Sequence, residues 1–142
     1  DLWLSPEVTK NTLSTKNKTT IKNINKKFSN EKLNSFLALE QEILIGFASI
    51  RPFEGRRNHS ADCAIFISQE FYGTGLAQKL MKKIFSRAKK LKLKRLELSV
   101  FNDNKRAIKF YEKIGFFSEG LKKNSLQRDK KLFDELLMAK LL

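Results

Sequence analysis

The chain has 142 residues, 41% of them hydrophobic, which suffices for one compact core but not two, so we predict a single domain over residues 1–142. Its 29 Lys and Arg against 15 Asp and Glu give a formal net charge of +14, which attracts polyanions in general and selects none of them. No apolar run approaches the roughly 18 residues of a membrane span, and no basic N-terminal segment precedes an apolar stretch. We therefore expect a cytoplasmic protein with no membrane partner.

The first third of the chain predicts a helix and a β-hairpin. Between residues 11 and 30, a segment rich in Lys, Asn and Thr carries apolar side chains at helical spacing, and these are Ile21, Ile24 and Phe28. This pattern predicts a weak amphipathic helix. The apolar runs at 36–39 and 43–50 follow, and the polar pair Gln41-Glu42 between them is typical of a tight hairpin.

A third strand and a longer helix are predicted in the middle of the chain. After a polar loop at 52–58, the run Ala61–Ile67 predicts a strand that holds the single cysteine, Cys63. One cysteine excludes an intramolecular disulfide, and we expect its thiol to be buried and reduced. After Gly75, apolar positions recur with a helical period opposite a row of lysines, and these are Leu76, Leu80, Met81, Ile84, Phe85, Ala88 and Leu91. This spacing predicts an amphipathic helix.

The last third predicts a strand, a short helix and a second hairpin. Residues 95–101 alternate apolar and polar side chains, which indicates a strand. Asn104 offers a cap for a helix that Gly115 terminates, and residues 116–142 predict two strands around a polar turn at 127–130. Strands that alternate with helices and then end in a hairpin predict the α/β class, with a mixed sheet.

The turn before the longer helix carries two glycines, Gly73 and Gly75. Glycine allows the backbone to bend closely round a ligand, and the free N–H groups of a helix's first turn favour negative charge. A pyrophosphate fits such a place. Alone, a Gly-x-Gly turn before a helix is a weak signal, because most turns of this kind bind nothing.

A second motif lies about thirty residues later: Asn104-x-x-Ala107-x-x-x-Tyr111-x-x-x-Gly115-Phe116, in which Ala107 and Tyr111 share one helix face. Together with the preceding strand, glycine turn and helix, this stretch resembles the core of the GNAT N-acetyltransferase superfamily, in the branch of small-molecule and ribosomal-protein N-acetyltransferases. The resemblance implies a central, mostly antiparallel sheet flanked by helices.

Members of this family usually begin with a strand. The present sequence predicts no strand before residue 30. The chain is therefore either a fragment or a protein that lacks this strand, and an exposed edge beside 36–39 would favour pairing into a homodimer.

The resemblance also implies acetyl-CoA as co-substrate, with no metal, and a set of cofactor-binding residues. In the family the pantetheine arm lies along the third strand, the pyrophosphate lies in the glycine turn, and the short helix holds the thioester end. The corresponding residues here are Ile65, Phe66, Ile67, Tyr72, Gly73, Thr74, Gly75, Leu76, Ala77, Gln78, Asn104, Ala107 and Tyr111. Tyr72 departs from the usual Gln or Arg, and Ala77 is an allowed variant for Gly.

The resemblance implies direct attack of a primary amine on the thioester in a ternary complex, with Tyr111 as general acid. A phenol with a pKa near 10 can protonate a thiolate whose thiol has a pKa of about 8.5. The general base is open, because one branch of the family uses a glutamate where this chain has Ser99. The remaining candidates are a water relay and the side chains of Glu54, Asp62, Glu97 and His59.

Two other functions compete with the enzyme. The basic stretch from Lys79 to Arg95 contains no acid and suggests a nucleic-acid-binding module, but it matches the outer face of an amphipathic helix and lacks a nucleic-acid motif. The missing base at Ser99 suggests an inactive acyl-CoA sensor. The acceptor is a small-molecule or protein amine, and the basic surface favours amino acids, nucleotide sugars or acidic protein sites over polycations.

Overall fold

The computed structural model describes residues 34–41 and 43–142. Six strands and two α-helices follow one another in this part of the chain: β1 (Asn34–Glu40), β2 (Ile43–Pro52), β3 (Ser60–Ile67), α1 (Leu76–Lys90), β4 (Arg95–Phe101), α2 (Lys105–Lys113), β5 (Phe117–Arg128) and β6 (Lys131–Leu141). These elements confirm the strands and helices predicted from residue 36 onward. The helix predicted within residues 11–30 lies outside the described residues.

The six strands form one sheet in the order β1-β2-β3-β4-β6-β5. Every neighbouring pair is antiparallel except β3 and β4, which are parallel because α1 crosses over between them. The predicted mixed, mostly antiparallel sheet is confirmed. In the described part of the chain, β1 and β5 are the edge strands.

The parallel pair β3 and β4 separates after a short run of pairing. Their register begins at Ser60↔Arg95 and ends at Asp62↔Glu97, whereas β3 remains paired with β2 as far as Ile67. On the other side, β4 remains paired with β6 as far as Phe101. The sheet is therefore continuous at one end and split at the other, and the split opens a wedge in its centre.

Both helices pack on one face of the sheet and form the core with it. The alternation of β4 buries Leu96, Leu98 and Val100, and the sheet's apolar side chains meet the buried faces of α1 and α2. The helical side chains in this core are Leu80, Met81, Ile84, Ala88, Ile108 and Tyr111. The lysines of α1 lie on its exposed side, as its amphipathic pattern predicts. The packing of α2 against the sheet fixes Tyr111 beside the wedge.

Candidate active site

A cavity of about 660 Å³ occupies the wedge between β3 and β4. Its lining comes from the separated part of β3, the end of β4, the glycine turn before α1 and one face of α2. The volume lies within the range of small-molecule and cofactor sites. One continuous space therefore joins the two motifs that the sequence singles out.

The glycine turn adopts the backbone conformation for which glycine is suited. Gly73 has φ +76° and Gly75 has φ +83°, both in the left-handed region that other residues rarely adopt. Gly75 is the N-cap residue of α1 and has no side chain with which to bond the first turn. Thr74 instead closes the turn locally, since its hydroxyl donates to the Phe71 carbonyl at 2.7 Å and accepts from the Leu76 amide at 3.4 Å.

The start of α2 is fixed by the side chain of Asn104. Its Oδ1 accepts a hydrogen bond from the Ala107 amide at 3.2 Å, which satisfies one of the free donors of the helix's first turn. Asn104, Ala107 and Tyr111 all line the cavity. Residues spaced by three and four thus present one helix face to the wedge.

Tyr111 is only 8% exposed, and its ring packs between two others. The ring centroids of Phe110 and Phe116 lie 5.6 Å and 5.7 Å away. Burial raises the pKa of Tyr111 well above its usual range, and the nearby Cys63 thiol adds to the effect. The phenol therefore stays protonated throughout the physiological range. Cys63 is buried, as predicted, and burial raises the pKa of its thiol as well.

The structure brings nearly all of the predicted cofactor-binding residues into this one lining. They are Ile65, Phe66, Ile67, Tyr72, Gly73, Gly75, Ala77, Gln78, Asn104, Ala107 and Tyr111. Thr74 and Leu76 lie outside the lining. Thr74 serves the turn, and Leu76 packs against the hydrophobic core.

Of the acidic residues that the structure describes, only Asp62 lies in the cavity lining. Burial raises the pKa of its carboxyl, although Arg51 at 3.5 Å opposes the shift. Ser99 lies in the same lining. The other predicted base candidates, Glu54 and His59 among them, do not.

Glu97 is held in an ion-pair cluster away from the cavity. Its carboxylate accepts from Arg57 at 2.7 Å and from Arg95 at 2.9 Å. Burial acts to raise its pKa, but the hydrogen bonds from the two guanidinium groups outweigh burial, and the pKa of Glu97 is lowered. Glu97 is therefore a weaker proton acceptor, and its carboxylate stabilises the ion-pair cluster.

Two features of the site are absent from the sequence-based prediction. The guanidinium of Arg106 on α2 lies 3.3 Å from the ring centroid of Tyr72, and both residues line the cavity. A cation–π contact therefore joins α2 to the glycine turn across the cavity. Glu135 of β6 is 6% exposed and accepts a hydrogen bond from the Ser125 hydroxyl at 2.9 Å. A glutamate in the middle of an apolar strand was the available signal for the second feature.

In the described part of the chain, no three His, Cys, Asp or Glu side chains come together in a group that could hold a metal ion. No helix in the same residues is long and apolar enough to cross a membrane.

Residues 2–116 match the Acetyltransferase (GNAT) family. The chain belongs to this family. Among its relatives, the L-amino acid N-acetyltransferase AaaT of Escherichia coli is 37% identical over 86 residues, which cover 60% of this GNAT chain and 53% of the relative. The spermine/spermidine N(1)-acetyltransferase of Bacillus subtilis is 38% identical over 56 residues, which cover 39% of this chain and 37% of the relative. The matches thus span about half of these relatives' length or less.

Solved structures share the fold. The phosphinothricin acetyltransferase of Sinorhizobium meliloti, a GNAT protein in complex with acetyl-CoA, superposes with a TM-score of 0.71 at 20% identity. The superposition covers 82% of this GNAT chain and 64% of that protein. The predicted family resemblance and the predicted fold are both confirmed.

Proposed function

We propose that this GNAT chain is an acetyl-CoA-dependent N-acetyltransferase that acts on a primary amine by direct attack in a ternary complex. The observation that carries the proposal is the single cavity that runs from the glycine turn through the wedge to Tyr111. The acetyl-CoA complex of the Sinorhizobium meliloti protein, which shares the fold, supports the choice of co-substrate.

The split sheet offers main-chain partners for an extended, amide-bearing chain such as pantetheine. Beyond Asp62 the edge of β3 that faces β4 has no strand partner within the described sheet, although its other edge remains paired with β2. Backbone N–H and C=O groups left in this way need partners. The backbone N–H and C=O groups of Ile65, Phe66 and Ile67 would therefore form hydrogen bonds with the pantetheine arm.

The glycine turn would hold the pyrophosphate through backbone amides at the N-terminus of α1, where the helix favours negative charge. Tyr72 stands where the family usually has Gln or Arg, but Arg106 lies against its ring and lines the same cavity. We assign to Arg106 the positive charge that Tyr72 cannot provide. Cofactor binding therefore survives this departure from the family pattern.

When bound, acetyl-CoA supplies the thioester and, after transfer, a thiolate. Tyr111 Oη would donate its proton to that sulfur. Because burial raises the pKa of Tyr111, the phenol is protonated throughout the physiological pH range and the donor is present. The packing of its ring against Phe110 and Phe116 holds the hydroxyl at the α2 side of the wedge.

We assign the role of general base to Asp62. It is the described acidic residue that reaches the cavity, and its raised pKa makes it a better proton acceptor than an exposed aspartate. One proton would pass from the attacking nitrogen to the Asp62 carboxylate as the N–acetyl bond forms and the C–S bond breaks. A base at this position also removes the main reason for regarding the chain as an inactive sensor.

For the acceptor, we propose a small amine that carries its own carboxylate, such as an amino acid. Arg51 lines the cavity 3.5 Å from Asp62, so a cation and an anion stand side by side at the acceptor end. An amine with a neighbouring carboxylate complements both charges, whereas a polyamine carries no anion that could bind Arg51. The name of the Escherichia coli relative favours amino acids, and that of the Bacillus subtilis relative favours polyamines.

The decisive experiment combines binding with turnover. Acetyl-CoA should raise the melting temperature by several degrees at about 100 times its Kd, because it binds the native state alone. A free-thiol assay over amino acids, polyamines and N-terminal peptides should then identify the acceptor. Tyr111→Phe should lower kcat by roughly 100-fold or more while the acetyl-CoA melting shift is unchanged, since only the hydroxyl is removed. An unshifted wild-type protein would refute the proposal.

A further inference from the structure

The outer faces of α1 and α2 carry charge of a single sign. Both helices pack on the same side of the sheet, so their exposed faces point away from it together. The chain contains no acidic residue between Leu76 and Leu96, and α2 contains one, Glu112. We define the basic face as the exposed lysines of the two helices that lie outside the cavity lining, and these are Lys79, Lys82, Lys83, Lys89, Lys90, Lys105 and Lys109.

No lysine of the basic face forms an ion pair with another residue that the structure describes. The acids in the described part of the chain pair instead with cations outside the two helices, and these cations are Arg51, Arg57, Arg95, Lys122, Lys123 and Arg128. The positive charge of the basic face is therefore not neutralised by the described residues, and it attracts polyanions from solution.

Amphipathicity alone does not account for this surface. An amphipathic helix needs polar side chains on its outer face, and a mixture of acids, amides and lysines would serve. Lysines three or four residues apart are neighbours on a helix and repel one another, as Lys79 does with Lys82 and Lys83, and Lys105 with Lys109. A face of one sign therefore costs stability that a mixed face would not, and this cost points to a role in binding.

The basic face offers charge without apolar anchors. Among the described residues, none of the exposed large hydrophobic side chains lies on α1 or α2. A basic helix that binds a membrane surface inserts apolar side chains into it, and a protein interface usually has aromatic or aliphatic anchors at its centre. A nucleic-acid backbone needs neither, because it presents one negative charge about every 1.7 Å along a duplex and lysines bind phosphates as point charges.

We propose that the basic face binds the phosphate backbone of a nucleic acid, independently of its sequence. This binding is additional to the proposed acetyltransferase function and does not rest on it. Leu98 and Val100 of β4 face the helices, so Ser99 between them faces the other side of the sheet, as does Asp62, which pairs with Glu97. A nucleic acid on the basic face would therefore leave the acceptor side accessible.

The test compares two variants that lose the same charge from a pair of adjacent lysines. Lys82→Gln/Lys83→Gln neutralises two lysines of the basic face, and neither lines the cavity. Lys130→Gln/Lys131→Gln neutralises two exposed lysines at the turn between β5 and β6, outside the helices. Binding to RNA and DNA duplexes of about 20 base pairs and unrelated sequence is measured by fluorescence anisotropy at several salt concentrations.

The wild type should bind the duplexes with similar affinities, and the logarithm of the affinity should fall linearly with that of the salt concentration. Lys82→Gln/Lys83→Gln should reduce this slope by about two and the affinity at about 0.1 M salt by roughly 30-fold. Lys130→Gln/Lys131→Gln should keep the wild-type slope. Both variants should retain the acetyl-CoA melting shift and the turnover of the wild type, which shows that the fold and the active site are intact.

Three results would overturn the inference, and each leaves the proposed acetyltransferase function untouched. The first is a wild-type protein that binds no duplex at low salt. The second is an equal loss of affinity in the two variants, which would show an effect of net charge alone. The third is tighter binding to vesicles of anionic lipid or to polyglutamate than to the duplexes at the same salt concentration, which would assign the face to a membrane or an acidic protein.

Discussion

The two sides of the wedge are built in different ways. The side assigned to the cofactor is formed by β3, the glycine turn and α2, and most of the contacts proposed for it come from backbone groups, with the Tyr111 phenol and the Arg106 cation beside them. The side assigned to the acceptor presents the side chains of Arg51, Asp62 and Ser99. Enzymes that share one co-substrate need only keep the backbone groups that bind it. An acceptor that differs from enzyme to enzyme requires side chains that can change without disturbing those groups.

This contrast predicts where substitutions act. On the acceptor side, a change in one functional group should alter turnover and leave cofactor binding intact. On the cofactor side, a change in backbone conformation or charge should alter cofactor affinity, and most side-chain changes should be tolerated. The three comparisons that follow test this division.

Asp62→Asn should have the largest effect. Loss of the proton acceptor should lower kcat by roughly 100-fold or more, with the acetyl-CoA melting shift preserved. In the wild type, turnover should fall as the pH drops through the raised pKa of Asp62, and this acidic limb should disappear in the variant. Glu97→Gln is the control, since Glu97 pairs with Asp62 in the sheet but is bound to Arg57 and Arg95 outside the cavity.

Stability separates this loss of activity from unfolding. A raised pKa means that ionisation of Asp62 costs folding free energy, and this cost grows as the pH rises through the folded-state pKa. The ion pair with the half-exposed Arg51 offsets little of this cost, because solvent screens it. Asp62→Asn should therefore unfold at neutral pH with a free energy no lower than that of the wild type. A turnover like that of Glu97→Gln would exclude Asp62 as the base.

The same division explains what the sequence predicted and what it missed. The glycine turn and the Asn104-to-Tyr111 spacing are local patterns, and local hydrogen bonds and helix periodicity position them. The acceptor side joins Arg51, Asp62 and Ser99, which come from three different strands. Whether their side chains meet depends on strand register and on where β3 and β4 separate, and neither is encoded in a short segment.

Gly73→Ala should have a smaller effect, and Gly55→Ala is its matched control. Both glycines have positive φ, +76° and +62°, and an added Cβ would meet no atom within 4 Å at either. Each substitution should therefore cost about 1–2 kcal/mol in the free energy of unfolding from backbone strain alone. Only Gly73 lines the cavity, so only Gly73→Ala should also weaken acetyl-CoA binding, by roughly tenfold in a titration. Equal acetyl-CoA affinities in the two variants would show that the glycine turn is not part of the cofactor site.

Arg106→Ala should have the smallest effect of the three, because the Arg106 side chain lies at the edge of the cavity, where it is exposed to solvent and salt. An exposed cation next to a phosphate contributes about 1 kcal/mol at most, which corresponds to a loss of roughly fivefold in acetyl-CoA affinity. The loss should shrink as salt is added, since the interaction is screened. Lys109→Ala removes the same charge from α2 at an exposed position outside the lining, and its affinity should match the wild type. Equal losses in both variants would show that Arg106 acts only through net charge, and Tyr72 would then have no local substitute for the family's Gln or Arg.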